Sequence, residues 1–211
     1  MCWKNIENKD QVNQKYSLKW VLVLVAMISM SVQAQQLPQF SQYVFNGLHI
    51  NPAYAGYKGD GYIQTTYRSQ WINFPGAPKT LSFTADVSAN EGRMGLGVTY
   101  LKDRIGLTES NVGMLTYSYR IATGDKSMLS LGVSAGISEY AFDPTGMVTV
   151  NPDPLLPSSR VAATTPNLNT GLFFHSDKFY AGLSAYNLIG RRALLRQDIA
   201  VAFHDFHYYL T

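Results

Sequence analysis

The chain reads as an all-β protein, an antiparallel up-and-down transmembrane β-barrel of an outer membrane, and three observations predict it. First, residues 129–138 (Leu-Ser-Leu-Gly-Val-Ser-Ala-Gly-Ile-Ser) place an apolar residue at every odd position and Ser or Gly at every even one. Successive side chains of a strand point to opposite faces, so this strand has one apolar face and one small, polar face, with no charge on either. A soluble sandwich would put Lys, Glu, Asp or Arg on its solvent side. Second, the same alternation recurs along the chain in segments near the length that crosses an outer membrane at a tilt. Third, the chain opens with an export signal.

That signal occupies residues 1–34. Lys15 and Lys19 supply positive charge, residues 20–30 are almost wholly apolar, and Val32-Gln33-Ala34 offers the small residues a signal peptidase reads, so the mature chain starts at Gln35. The apolar run is shorter than the roughly 20 residues of a transmembrane helix, which counts against the competing reading of an uncleaved anchor. No cysteine follows it, which closes the lipoprotein route. Four of the 17 basic and two of the 14 acidic residues precede Gln35, leaving 13 against 12 in the mature part. A net charge of +1 is no nucleic-acid footprint. Cys2 is the one cysteine and leaves with the signal, so neither a disulfide nor a zinc–thiolate site can form.

Residues 35–58 form an N-terminal segment on the periplasmic side. Phe40, Tyr43 and Phe45 give it an aromatic cluster, while Asn51-Pro52 and Ala55-Gly56 are turn-forming pairs, with Pro52 biasing Asn51 away from helix. Such a segment plugs the barrel from the periplasm, docks a partner there, or caps the barrel base.

Residues 59–211 carry the strands. Alternation runs from Tyr62 to Trp71, from Leu81 to Ser88, from Met94 to Tyr100, and from Leu115 to Ile121. After residues 129–138 it resumes at Thr170, Leu172 and Phe174, then at Phe179, Ala181, Leu183 and Ala185. This makes about seven strands, by a signal that is weak per segment. Residues 90–92, 123–126 and 176–178 are short polar turns that would face the periplasm. The other links, 74–79 and 143–166 among them, are longer, as surface loops are. The second holds Pro144, Pro152, Pro154, Pro157 and Pro166, a composition that argues against its lying inside a sheet. Tyr62, Trp71, Tyr100 and Tyr140 suit the interfacial aromatic girdles. The inward positions are rich in Gly and Ser, which predicts a lumen not packed with large side chains. Arg68, Asp86 and Arg120 point inward as ion pairs that hold register, since a mid-membrane Arg facing lipid costs about 2–4 kcal/mol.

Residues 38–46 (Pro-Gln-Phe-Ser-Gln-Tyr-Val-Phe-Asn) followed by residues 50–56 (Ile-Asn-Pro-Ala-Tyr-Ala-Gly) resemble the PorP/SprF family of type IX secretion and gliding proteins. Tyr67-Arg68-Ser69-Gln70-Trp71, Gly76-Ala77-Pro78-Lys79-Thr80, and Gly95-Leu96-Gly97 with Asp103-Arg104-Ile105-Gly106 extend the resemblance, which runs from about Gln36 to Leu188. It implies an outer-membrane barrel beside the type IX apparatus, paired with a secreted protein bearing a C-terminal sorting domain. Periplasmic ring and peptidoglycan-linked components are the implied inner partners. Two departures stand out. The chain stops at Thr211, where residues 207–211 resemble the start of a later family strand, so the barrel is expected to be incomplete. Residues 191–196 fit the pattern poorly and read as a loop or short helix.

Catalysis finds little support. His204 and His207 are three apart, which suits one face of a helix but opposite faces of a strand, and no third ligand is in view. His49 and His175 are isolated, and Ser41, Ser69 and Ser130 lie in no nucleophile-elbow pattern. The Gly-rich strands are followed by no helix, so they are not phosphate cradles. The expectation is a non-enzyme without cofactor or metal. A secretion-accessory barrel is preferred over a passive pore or small-molecule transporter, and over a barrel that anchors a complex without binding cargo. Phe40, Tyr43, Phe45, Asn51, Pro52 and Gly56 are the residues assigned to the partner.

Overall fold

The computed structural model describes residues 46–147, 157–189, 192–196, 199–202 and 206–211. Its strands are β1 (Tyr62–Ser69), β2 (Lys79–Ala89), β3 (Met94–Ile105), β4 (Thr108–Gly124), β5 (Ser127–Phe142), β6 (Val161–Ser176), β7 (Tyr180–Tyr186), β8 (Arg192–Arg196), β9 (Ile199–Ala202) and β10 (His207–Leu210). Eight of them form one antiparallel sheet in the order β1-β2-β3-β4-β5-β6-β7-β10, with each of the first seven beside its neighbour in sequence. Between β7 and β10 the chain leaves the sheet for a small hairpin of β8 with β9. The expected loop or short helix at 191–196 is therefore corrected to a strand over Arg192–Arg196, residue 191 lying outside the described residues. Among the described residues β1 and β10 are the two edges of an open sheet.

The strands are longer than the alternation alone implies, because β4, β5 and β6 run on past the apolar stretch for several residues at one end. This brings Pro166 into β6 opposite Ile137, against the expectation that residues 143–166 stay outside the sheet. The ladder to β7 begins only at Thr170, so Pro166 sits where β6 pairs on one side alone, a position that tolerates the missing N–H. The β3–β4 link is also shorter than expected, with residues 106–107 making a tight turn.

Burial runs opposite to that of a water-soluble protein. The inward row positions are Ser, Thr, Asn and Gly, with Ser82, Ser118, Ser130, Ser138, Thr84 and Asn167 all at most 5 % exposed. The outward positions are Ile63, Leu115, Ile137, Leu172 and Leu183, each 45 % exposed or more. A contiguous apolar surface this large is unfavourable in water and favourable in lipid. No helix among the described residues is long and apolar enough to cross a membrane.

Register gives the apolar band its height. Five outward rows carry no charged side chain, from Thr65–Phe83–Tyr100–Gly113–Ile137–Pro166 at one end to Ile121–Leu129–Phe174–Ala181 at the other. The extreme rows take in nine residues of β5, from Leu129 to Ile137, the length of about 9–11 residues with which a tilted strand crosses an outer membrane. Tyr100 lies on the outward face at the boundary row, and Trp71 lies in the exposed β1–β2 loop. Tyr62 and Tyr140 fall on inward rows with Asp86 and Ser110, which corrects their assignment to a girdle.

Candidate functional site

The inner face is not left open. One inward row reads Gly95–Ser118–Gly132–Gly171–Ser184 across β3 to β7. Along it, at right angles to the strands, runs the chain's own residues 50–55. Strands stand about 4.8 Å apart, so the row spans roughly 19 Å.

Each small residue of the row admits one part of the crossing backbone. A Cβ on Gly95 would overlap the Ala55 carbonyl, one on Gly132 the Pro52–Ala53 peptide, and one on Gly171 the Asn51 side chain. The two serines donate instead: Ser184 Oγ to Ile50 O at 2.5 Å and Ser118 Oγ to Ala55 O at 2.8 Å. The crossing segment begins with α1 (Gly47–Ile50) and tightens into a 3-10 turn, Pro52–Tyr54, whose N-cap Asn51 accepts from Ala53 N at 2.9 Å. Pro52 opens that turn, a position where its missing N–H costs nothing. Asn51 is 1 % exposed, and its Nδ2 reaches across to Leu172 O at 2.8 Å. One amide side chain therefore caps the turn and pins it to β6.

The far end of the segment is gripped by charge. Asp86 Oδ2 accepts from Gly56 N at 2.6 Å, and Arg120 donates through Nη2 to Ala55 O at 2.8 Å. Arg120 Nη1 also reaches Gly92 O in the β2–β3 turn at 2.7 Å. Both charged groups thus address a single peptide unit, from its N–H and its C=O sides, in hydrogen bonds stronger than neutral ones. Asp86 and Arg120, expected with Arg68 to form ion pairs that hold register, share this grip instead. Arg68 stands on an inward row with Thr80 and Asp103. Gly56 has φ +66°, a left-handed conformation that glycine adopts freely, and a Cβ there would crowd Arg120 Nη2 and Val87 O.

An aromatic cluster seals the space beside the row. Tyr54 stacks on Phe173 with ring centroids 4.0 Å apart, and Tyr57 meets Phe173 edge-on at 5.2 Å and His175 at 4.8 Å. Phe173 is 1 % exposed and is the largest fully buried side chain among the described residues. The arrangement lies toward the end of the sheet that carries the turns at residues 90–93, 125–126 and 177–179.

Of the residues assigned to a partner from sequence, Asn51, Pro52 and Gly56 come together in this crossing segment and are buried there. Phe40, Tyr43 and Phe45 lie outside the described residues. His204 does too, while His207 sits in β10 with Nδ1 3.4 Å from Asn187 Nδ2. Sequence reasoning missed the glycine row and Phe173. Each of Gly95, Gly132 and Gly171 is legible as a small inward residue, but only register shows that they are side by side. The expectation of a lumen free of large side chains holds for the row itself, and its corollary of empty space does not, since backbone fills it.

A family model described as type IX secretion system membrane protein PorP/SprF matches residues 32–211. No curated protein and no solved structure matches the chain.

Proposed function

The chain belongs to the PorP/SprF family of type IX secretion system membrane proteins, and from that premise we propose that it is an outer-membrane barrel that assists export or surface attachment of a partner secreted protein. In this reading an N-terminal signal sends it across the inner membrane and is cleaved at Gln35. The partners are a secreted protein with a C-terminal sorting domain and the periplasmic ring and peptidoglycan-linked components.

The observation that supports this over a passive pore is the crossing segment. A conducting lumen has no use for a tailored row of Gly and Ser occupied by the chain's own backbone. Residues 51–56 act as a fixed seat, and Phe40, Tyr43 and Phe45, which precede it in sequence, are assigned with it to partner recognition. No step of this work needs a catalytic residue, cofactor or metal.

The test is purification of the tagged chain from outer membranes in mild detergent, with co-purifying proteins identified by mass spectrometry. The expected result is a secreted protein with a sorting domain, ring components, or both, and a sharp loss of that recovery for Asn51→Ala and Gly56→Val. Recovery of the folded chain alone favours the pore. If both variants leave export and complex recovery unchanged, the seat has no part in partner binding.

A further inference from the structure

We propose that Lys79 and Arg104, on the outward wall just beyond the apolar band, bind the phosphate of an outer-leaflet glycolipid. The inference rests on the outer-membrane reading above and adds a specific lipid contact to it.

The two cations are directly opposite each other on β2 and β3. Both are on the outward face, both are exposed, and among the described residues neither makes an ion pair. Their neighbours on the same wall are neutralised: Lys102 pairs with Glu109 at 3.1 Å and Arg160 with Glu139 at 3.1 Å. Asp143 lines the same cavity as Arg104 and acts on it electrostatically, while its Oδ1 accepts from the Thr145 hydroxyl and amide. Directly opposed residues have Cβ atoms about 5 Å apart, so Arg104 stands between Lys79 and Glu109, and with Lys102 nearby the cations outnumber that one carboxylate. Two long side chains at that spacing can converge on one phosphate, with the guanidinium supplying a planar fork.

Their height on the wall chooses the kind of anion. The Lys79–Arg104 row lies four residues along β2 and β3 from the uncharged Phe83–Tyr100 row, which places it at headgroup level. It is the end carrying the long β5–β6 link, the side that faces outward when the short turns face the periplasm. A second observation points the same way. The β1–β2 loop that ends at Lys79 presents Trp71, Ile72 and Phe74, each 65 % exposed or more. This loop is tied to the β3–β4 turn beside Arg104 by Gly106 N donating to Gly76 O at 2.9 Å. Exposed aromatic and aliphatic groups next to two exposed cations fit a lipid that has both phosphate and acyl chains.

The experiment reconstitutes the full chain into phosphatidylcholine vesicles containing bisphosphorylated lipid A, its dephosphorylated form, or phosphatidylglycerol. Lipid retained after detergent extraction is read by native mass spectrometry. Wild type is expected to retain bisphosphorylated lipid A about tenfold better than K79Q/R104Q, with K126Q at the opposite end behaving as wild type. Equal retention by wild type and K79Q/R104Q overturns the proposal, as does equal retention of the dephosphorylated lipid. Phosphatidylglycerol held as well as lipid A overturns the outer-leaflet assignment. A chain that inserts into none of the vesicles overturns this proposal and the barrel reading together. One that inserts and recovers its secretion partners, yet holds lipid regardless of Lys79 and Arg104, overturns this proposal alone.

Discussion

Gly132 has no side chain, and the Pro52–Ala53 peptide occupies the space one would need. Gly132→Val therefore forces the crossing segment off its row or distorts β5, at a cost of about 1–3 kcal/mol typical of overpacking. Gly113 is the control, since it lies on the outward face of β4 and a Cβ added there would meet nothing within 4 Å. Gly113→Ala should leave the unfolding midpoint nearly unchanged. Heat-modifiability on a gel, together with protease cleavage between residues 46 and 57, separates the two: the valine variant loses stability and exposes the segment, the alanine variant does neither. Both glycines look alike in the sequence. The alternation assigns Gly132 to the inner face, but nothing local says that another part of the chain must approach it.

At the scale of elements, the β2–β3 hairpin shows how turn chemistry and strand pattern can disagree. Its turn places Asn90 and Glu91 at φ +52° and Gly92 at φ +86°, with Arg93 N closing on Asn90 O at 3.0 Å. Asn and Gly suit that left-handed geometry, whereas Glu does not. Glu91→Gly should raise stability by about 0.5–1 kcal/mol once the greater freedom of the unfolded chain is set against the relieved strain. An unfolding titration of the two proteins in the same lipid decides it, and a loss of stability would show that Glu91 is held there by something other than backbone geometry. The hairpin's existence is legible from alternation on either side of residues 90–92. The full lengths of β4, β5 and β6 are not, because past the apolar band the outward residues become charged and a period-2 hydrophobic pattern no longer marks the strand. Pro166 misleads for a related reason: proline excludes a residue from a fully paired strand, and only the staggered start of β7 shows that this one is unpaired on one side.

For the whole molecule, polarity is inverted: hydroxyl and amide groups fill the interior, and aliphatic groups face out. This inversion determines that the outer wall meets lipid, and the segment at residues 50–55 determines that the interior is obstructed. In planar bilayers the wild-type chain should give little steady conductance, and Gly95→Val, which removes room for the Ala55 carbonyl, should raise it. A large, stable wild-type conductance unaffected by that substitution would mean the segment does not close the path.

The sequence by itself determined the all-β class, the apolar cores of the first seven strands with the faces of their alternating residues, and the family, because these depend on side-chain period and short motifs read along one strand at a time. It also marked Asn51-Pro52 and Ala55-Gly56 as turn-forming pairs. Which inward glycines stand in a row, where Asp86 and Arg120 direct their charge, and which cations are left without partners were decided only by the tertiary structure. Each is a relation between strands, and register across a sheet is set by the sum of many cross-strand contacts that no single strand encodes.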